Sequence, residues 1–495
     1  MELKIINKIG LSILLLGLIN LYNIVKYGIV FYIPSLGYST ETLYYDKSKK
    51  MLYQILEGGL IKIDINNLKV IIFITLIIFI IFNISSNELF SEKIFREKDK
   101  SKSLEYELLI GLGLLGLIWI EISNDIISLY LGLELYSFSI YILILVKESI
   151  TIRRISIIYL ILSSLISGIL LYTFSIIYKN FGILNLDKIN IIINNTTITK
   201  EDNIVIIYLI LLALLFKLGA IPFSYWLIRL YADLEKRILW YQLTIPKFIF
   251  FILLIKLLIV FNNIETFKVS FSYILYIIAL LSISIGAIGG LFQRKDNLLL
   301  SYSSILNIGF ILLALTLLIF ENNLISSLNI FKDLNNIESL WTLYQYFILY
   351  IINLIGLFAS LFLYSRTSLV FNFRTFFSHP YFFISFLIHI FSFIGLPPTS
   401  GFFSKFYLLF ALYSYSIFTI LSYVFFLFFT LISSFFYFKF LFSSSSFSST
   451  IFIDNKNTNN NKLSLASLVL GGSSLFSISY PLLLSYLIPL FYFFM

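Results

Sequence analysis

The sequence predicts an all-α polytopic membrane protein with about 13 transmembrane helices. Three observations carry that reading. Of the 495 residues, 59% are hydrophobic and only 12% are charged, where soluble domains run near 25% charged. The apolar residues fall into runs of about 20, enough to cross a hydrocarbon core. Two of those runs are interrupted by Gly and Pro beside a lysine, a pattern that makes sense only where broken backbone is buried in protein or lines a wet cavity. Mean hydropathy is +0.95, so length measures how many spans fit rather than how many soluble domains.

The first span is expected near Ile5–Asn23, and no small-residue cleavage site follows Lys4 and Lys8. A polar stretch through Tyr44, Tyr45 and Asp46 leads to a second span near Val70–Ile84. The charged loop Ser91–Ser103 precedes a third span, Glu105–Glu121, and the turn Ser123-Asn124-Asp125 a fourth, Ile126–Val146. The fifth follows Arg153 and Arg154 and runs to Tyr178. The sixth, Ile204–Gly219, ends in a break at Gly219 and Pro222, after which Phe223 opens an amphipathic piece reaching Glu235. Spans seven to ten are read at Leu243–Phe261, Ser272–Phe292, Leu298–Phe320 and Tyr344–Tyr364. The eleventh, Tyr381–Leu412, is broken at Gly395 and Pro397-Pro398, because two prolines in a row end a helix. The twelfth is Ile417–Phe442, a low-complexity loop follows, and Leu465–Leu487 closes the chain.

Loop lysines and arginines set the topology. Loops after even-numbered spans hold Lys93, Arg96, Arg153, Arg154, Arg237, Lys295, Arg374 and Lys456 among others. The positive-inside rule places those loops and the N-terminus inside and the C-terminus outside. The net charge of +9 therefore reads as topology, not as nucleic-acid binding. The chain has no cysteine and two histidines, His379 and His389, which removes thiolate sites and makes a histidine metal centre a poor reading. It contains no nucleotide, flavin or metal motif, so no cofactor is expected in this chain. Heavy use of Ile, Asn, Lys, Phe and Tyr suggests an AT-rich gene such as those of organelle genomes.

Ionisable residues inside apolar spans mark candidate sites. Glu134 sits within Leu131–Tyr136 and needs a cation, a water or a proton; a protonated structural Glu is the bland alternative. Lys217, beside the first break, is its natural partner by depth. Buried lysines switch between charged and neutral forms, so a carboxylate moving toward or away from one is the minimum machinery for moving protons. Lys247 follows Pro246 near a span start and could snorkel to the headgroups, whereas Lys256, near the far end of the same span, reads as snorkelling. Lys405 follows the second break and is trailed by apolar residues for about two turns. Lys217 is placed at the C-terminal end of a half-helix, where the dipole attracts a cation, and Lys405 more than a turn inside one, where it does not. His389 reads as structural. The breaks lie five spans apart, an odd offset, so repeats containing them would be inverted in the membrane.

The segment FSFIGLPPTSGFFSKFYLL at Phe391–Leu409 resembles the signature of the family of NADH dehydrogenase subunit 2 of mitochondrial respiratory complex I, whose bacterial counterpart is subunit N. SNDIISLYLGLELYSFSIYIL at Ser123–Leu143 is similar to the family's glutamate helix, LLFKLGAIPFSYW at Leu214–Trp226 to its broken-helix motif, and LLLSYSSILNIGFILL at Leu298–Leu313 to a further block. Pro246-Lys247 and the Lys405 motif favour this branch over related antiporter-like subunits. The resemblance covers about Glu105–Phe440. It implies an antiporter-like fold of two inverted five-helix repeats with two broken helices in the mitochondrial inner membrane. The division it suggests is 1–104 for N-terminal helices and loop, 105–262 and 263–442 for the repeats, and 443–495 for a loop and last helix. It implies membrane lipids and other complex I membrane-arm subunits as partners, no redox centre in the chain, and Glu134, Lys217, Lys247 and Lys405 as proton-path residues. Departures are Ile158 where the family often has a lysine, with Arg154 one turn earlier as a substitute, Ser224 in place of a histidine, and Asn297-Leu298 in place of Lys-Arg. Alternatives are a stand-alone sodium/proton antiporter of the related multi-subunit type and a structural subunit that retains the motifs without pumping.

Overall fold

The computed structural model describes residues 29–34, 43–44, 59–63, 70–71, 74–75, 77, 99–145, 150–189, 200–261, 265–293, 295–324, 332–365, 380–413, 417–443 and 469–480. The expected first span and the low-complexity loop lie outside the described residues.

Twelve helices account for most of the described chain. They are α1 (Asp99–Ile122), α2 (Ile126–Leu145), α3 (Ile150–Phe181), α4 (Lys200–Leu218), α5 (Ser224–Asp233), α6 (Lys236–Phe261), α7 (Glu265–Phe292), α8 (Asp296–Leu324), α9 (Lys332–Ser365), α10 (Pro380–Ile394), α11 (Ser400–Tyr413) and α12 (Ile417–Ser443). Residues 469–480 are also helical. Among the described residues, seven helices are long and apolar enough to cross a membrane, and shorter apolar helices include Leu108–Ile122, Tyr208–Leu218 and Phe383–Ile394. The helical architecture is the one expected.

One feature differs. The stretch read as a polar connection contributes a small antiparallel sheet, with β1 (Ile29–Pro34) between β2 (Leu43–Tyr44) and β3 (Gly59–Ile63). The β1–β3 register slips between Ile33 and Pro34. Alternation in IVFYIP and GLIKI is too short to stand out beside long apolar runs.

Packing between spans cannot rest on the hydrophobic effect alone, because lipid is as apolar as leucine; close backbone approach takes over. A Cβ on Gly116 of α1 would lie 2.8 Å from the Tyr136 backbone nitrogen of α2, and one on Gly286 of α7 would lie 2.7 Å from that of Leu306 of α8. Serines tolerate mid-span positions by bonding back to carbonyls, as Ser139 does to Tyr136 O at 2.7 Å and Ser282 to Ala279 O at 2.8 Å.

Neighbour relations recur along the chain. Helix α1 packs on α2, α2 on α3, α3 on both α4 and α5, α4 on α6, and α1 on α6. In the same order, α7 packs on α8, α8 on α9, α9 on both α10 and α11, α10 on α12, and α7 on α12. The two sets meet where α5 and α6 touch α8, α6 touches α9, and α4 touches α7.

The helix entries are pinned individually. The turn before α2 pairs with the end of the α3 connection: Ile126 N–H donates to Leu184 O at 3.1 Å and Leu186 N–H to Asn124 O at 2.9 Å. Burial pushes the Asp125 carboxyl there above the usual carboxylate range, against the pull of an Asn185 hydrogen bond and the Lys188 charge. At the start of α8, Asn297 Nδ2 donates to Leu234 O at 3.0 Å and caps α5, and Lys295 lies 3.8 Å from Asp233. Asn297, noted as a departure, thus takes a capping role.

Candidate functional site

The two broken helices share one backbone design. Gly219 (φ +77°) and Gly395 (φ +88°) terminate α4 and α10 in the left-handed region that glycine alone enters cheaply. Gly219 N–H and Ala220 N–H both donate to Leu215 O, at 2.9 and 3.0 Å, and Phe223 N–H to Ala220 O at 2.8 Å. At the second break Gly395 N–H and Leu396 N–H both donate to Phe391 O, at 2.8 and 3.0 Å, and Thr399 N–H to Leu396 O at 3.0 Å. Each turn contains a cis peptide, Ile221-Pro222 in one and Pro397-Pro398 in the other. Superposing Gly219 on Gly395 in sequence places Phe216 on Ser392 and Tyr225 on Gly401.

The side chains then diverge. Phe216 stacks on Trp226 across the first break, with ring centroids 4.9 Å apart. Ser392 Oγ instead accepts the Gly401 N–H at 3.0 Å, and a Cβ on Gly401 would sit 1.8 Å from Ser392 O. So α11 packs directly on α10, whereas α5 packs on α3 and α8.

Beside the first break lies a cavity of about 20 Å³, room for about one water. It is lined by Lys217 and Lys247, the phenols Tyr136, Tyr159 and Tyr231, and Gln242. Lys217 is 8% exposed and Lys247 2%, so neither snorkels. Their ammonium nitrogens are buried and make no hydrogen bond to the described residues. Lys247 Nζ stands 5.7 Å over the Tyr231 ring. Tyr136 donates to Gln242 Oε1 at 2.8 Å. Pro246 lies inside α6 and has no N–H to offer the Gln242 carbonyl one turn earlier, which leaves an acceptor one turn from Lys247.

Glu134 stands at the seam of α2 and α3 and is half-buried. Ser137 Oγ is 3.4 Å from its Oε2, and Tyr130 bonds to both Glu134 and Ser167 of α3. Lys217 and Tyr159 both lie within electrostatic reach of Glu134. No direct ion pair joins Glu134 to Lys217 among the described residues. Arg154 and Ile158 both lie exposed on α3, and Arg154 makes no ion pair with Glu134.

Lys405 corrects the dipole expectation. It sits inside α11, yet its side chain crosses the break, and Nζ donates to Phe393 O at 2.7 Å and Ile394 O at 2.9 Å. Lys405 therefore caps the C-terminus of α10, while Lys217, which stands at the matching end of α4, caps nothing. The reach of a four-carbon side chain outweighs its place in the helix. Lys405 Nζ also lies 6.0 Å from the Phe310 ring centroid. Below it runs a polar network in which Tyr437 bonds to Ser303, Tyr346 donates to Asn307 Oδ1 at 2.8 Å, and Asn307 Nδ2 donates to Ser303 O at 2.8 Å.

Lys256 does not snorkel either. It donates to Ser123 O at 2.6 Å and Glu121 O at 3.3 Å, at the end of α1. Lys439 caps α7 in the same way, donating to Leu291 O at 2.7 Å. His389 is fully buried, with Nε2 3.0 Å from Ser473 Oγ and its ring seated against Gly356. That placement agrees with a structural reading. No cluster of three His, Cys, Asp or Glu capable of holding a metal occurs among the described residues.

Sequence reasoning missed the tyrosines and Gln242. With 34 tyrosines in the chain, no single one stands out. Gln242 could have been found, as an amide inside an apolar run one turn from a proline–lysine pair.

A helical membrane fold with two broken helices and buried lysines defines an ion-translocation class of architecture. The family model described as NADH:quinone oxidoreductase/Mrp antiporter, TM, matches residues 123–433, more than half of the chain. The chain belongs to that family. It is 27% identical over 314 residues to NADH-quinone oxidoreductase subunit N of Ruthia magnifica subsp. Calyptogena magnifica, covering 62% of this chain and 61% of the relative. It is 31% identical over 342 residues to NADH-ubiquinone oxidoreductase chain 2 of Rhizopus oryzae, covering 66% and 62%. The matches thus span about three fifths of these relatives' length. A chain of respiratory complex I from Thermus thermophilus shares the fold with TM-score 0.65 at 17% identity, covering 97% of this chain and 92% of that one. A chain of the Mrp complex from Dietzia sp. does so with TM-score 0.73 at 15% identity, covering 100% and 92%.

Proposed function

We propose that this chain is a proton-translocating membrane-arm subunit of an NADH:ubiquinone oxidoreductase in the mitochondrial inner membrane, assembled with other membrane-arm subunits. The observation that carries the reading is the cavity where Lys217 and Lys247 meet without direct hydrogen-bond partners, within reach of the Glu134 charge. A carboxylate approaching Lys217 would hold its proton, and one withdrawing would release it toward the cavity. Lys247 is the next base along the line, and Lys405 stands at the corresponding break of the second half. Redox chemistry elsewhere in the complex drives the movement of Glu134 relative to Lys217. No redox step is assigned to this chain.

We take residues 105–262 and 263–442 as the two inverted units, supported by the recurring neighbour relations and the matched breaks. The fungal relative and the AT-rich residue usage support the mitochondrial placement. A second reading, a sodium/proton antiporter subunit, is supported by the description of the matching family model, which joins NADH:quinone oxidoreductase with the Mrp antiporter.

A native gel of detergent-solubilised membranes, stained for NADH oxidation, tests the proposal. The chain is expected in a very large NADH-oxidising band. Migration in a small particle without that activity contradicts it and makes sodium-dependent transport the next assay.

A further inference from the structure

The lysines within the helices end in two different ways. Lys256, Lys405 and Lys439 each donate to a backbone carbonyl: Ser123 O at 2.6 Å, Phe393 O at 2.7 Å and Leu291 O at 2.7 Å. Lys217 and Lys247 line the cavity beside the first break, and their ammonium nitrogens bond to no described residue. An ammonium taken out of water without an acceptor is costly, so the acceptor has to come from the contents of the cavity.

The rest of the wall carries the same bias. Gln242 Nε2 and Trp226 Nε1 are buried donors that also bond to no described residue, and both side chains line the same cavity. Gln242 Oε1 is already taken by the Tyr136 hydroxyl at 2.8 Å. The Gln242 carbonyl freed by Pro246 can accept one N–H of Lys247, but each ammonium carries three. No carboxylate is among the lining residues, and Glu134 stands apart at the seam of α2 and α3. Two ammoniums, an amide and an indole therefore converge on a space with too few acceptors. A water adds two donors of its own to that wall, whereas an anion accepts from every side and adds none. The volume of about 20 Å³ suits one water-sized particle, which admits a single-atom anion and leaves no room for a carboxylic acid or a phosphate.

We propose that this cavity is a halide site, taking one chloride-class anion on Lys217 Nζ, Lys247 Nζ, Gln242 Nε2 and Trp226 Nε1. Tyr159 and Tyr231 line the same space, and a phenol can add an O–H to an anion. The ion brings a negative charge to ammoniums that are otherwise buried unpaired. It forms no covalent bond and moves no electron. The second break offers no such site, because Lys405 already spends its donors on Phe393 O and Ile394 O. Binding of the anion does not depend on the proton-path reading: two buried ammoniums need an acceptor whether or not they pass protons.

Bromide is the probe, because its anomalous X-ray scattering marks a single ion in a crystal of the whole assembled protein. Wild-type crystals grown with bromide as the only halide are expected to show an anomalous peak in the cavity between Lys217 and Lys247. Lys247→Met keeps an unbranched side chain, removes one charge and its donors, and is expected to lose the peak. Gln242→Glu keeps an oxygen for the Tyr136 hydroxyl and sets a carboxylate in the cavity, which answers the lysines from within the protein. It too is expected to lose the peak, and it decides the matter if Lys247→Met does not assemble. Water-like density without an anomalous signal in the wild type overturns the proposal. So does a bromide peak that persists in either variant, because the named donors would then not be what holds the ion.

Discussion

The two broken helices start from the same turn and end in opposite states. Both have a positive-φ glycine, a shared acceptor carbonyl and a cis X-Pro bond. In the first, Phe216 and Trp226 stack across the gap, and a cavity holds two lysines that bond to no described residue. In the second, Gly401 lets α11 close onto α10, and Lys405 spends its donors on the carbonyls the break has freed. A single backbone device therefore yields a polar chamber or a locked joint, depending on two side-chain positions. In lipid this choice matters more than in water, because freed carbonyls must find a partner inside the protein.

The comparison can be broken at its tightest point. Gly401→Ala puts a methyl against the Ser392 carbonyl, a backbone atom that cannot step aside. Overpacking of this kind costs about 3 kcal/mol, so the variant complex is expected to accumulate poorly and unfold at lower temperature. Tyr225→Ala at the matching position, where the side chain is 62% exposed, is expected to leave the unfolding midpoint nearly unchanged.

Next come the lysines themselves. Lys405→Met leaves the Phe393 and Ile394 carbonyls without their charged donor, a loss of about 2 kcal/mol for charge-assisted bonds. Lys217→Met removes a buried ammonium that bonds to no described residue and is expected to cost little or nothing in stability. Thermal unfolding of the two purified variant complexes separates them; equal midpoints would erase the distinction between lock and chamber.

The glycines give a smaller contrast. Both Gly219→Ala and Gly395→Ala force a left-handed alanine, about 1 kcal/mol each. At Gly219 the new Cβ also lies 2.1 Å from Leu227 Cδ1, whereas at Gly395 its nearest neighbour is the flexible Lys405 Cδ at 3.0 Å. Gly219→Ala is therefore expected to lower the unfolding midpoint more.

The helix entries give the smallest effect. Burial raises the folded-state pKa of Asp125 above its unfolded value, so its contribution to stability is fully present below the unfolded pKa and is lost as pH rises through the folded one. Asp125→Asn is expected to flatten that fall across the acidic range in a pH series of unfolding midpoints. Lys295, which precedes α8 in the other half, forms a surface pair at 3.8 Å, and Lys295→Ala is expected to change little at any pH.

Much of this was legible in the sequence. Runs of apolar residues locate the helices because the bilayer sets their length. The Gly–Pro breaks locate the turns because only glycine enters the left-handed region cheaply and proline ends a helix. Glu134, Lys217, Lys247 and Lys405 stand out because charge within an apolar run is expensive. What side chains reach was not legible. Lys405 was placed by its own helix, yet its ammonium belongs to the preceding one. Lys256 was read as snorkelling and instead caps α1. Tyr136, Tyr159 and Tyr231 acquire meaning only when α2, α3, α5 and α6 enclose the cavity, and nothing in a tyrosine-rich chain marks them beforehand. The sheet at Ile29–Ile63 was hidden because short strands carry little periodicity.

The most direct test of the account is proton pumping and thermal stability measured together on one assembled complex carrying Lys217→Met. The account predicts that pumping is lost while the unfolding midpoint holds or rises, because the lysine bonds to no described residue. A complex that pumps at the wild-type rate would contradict it and assign the chain to scaffolding.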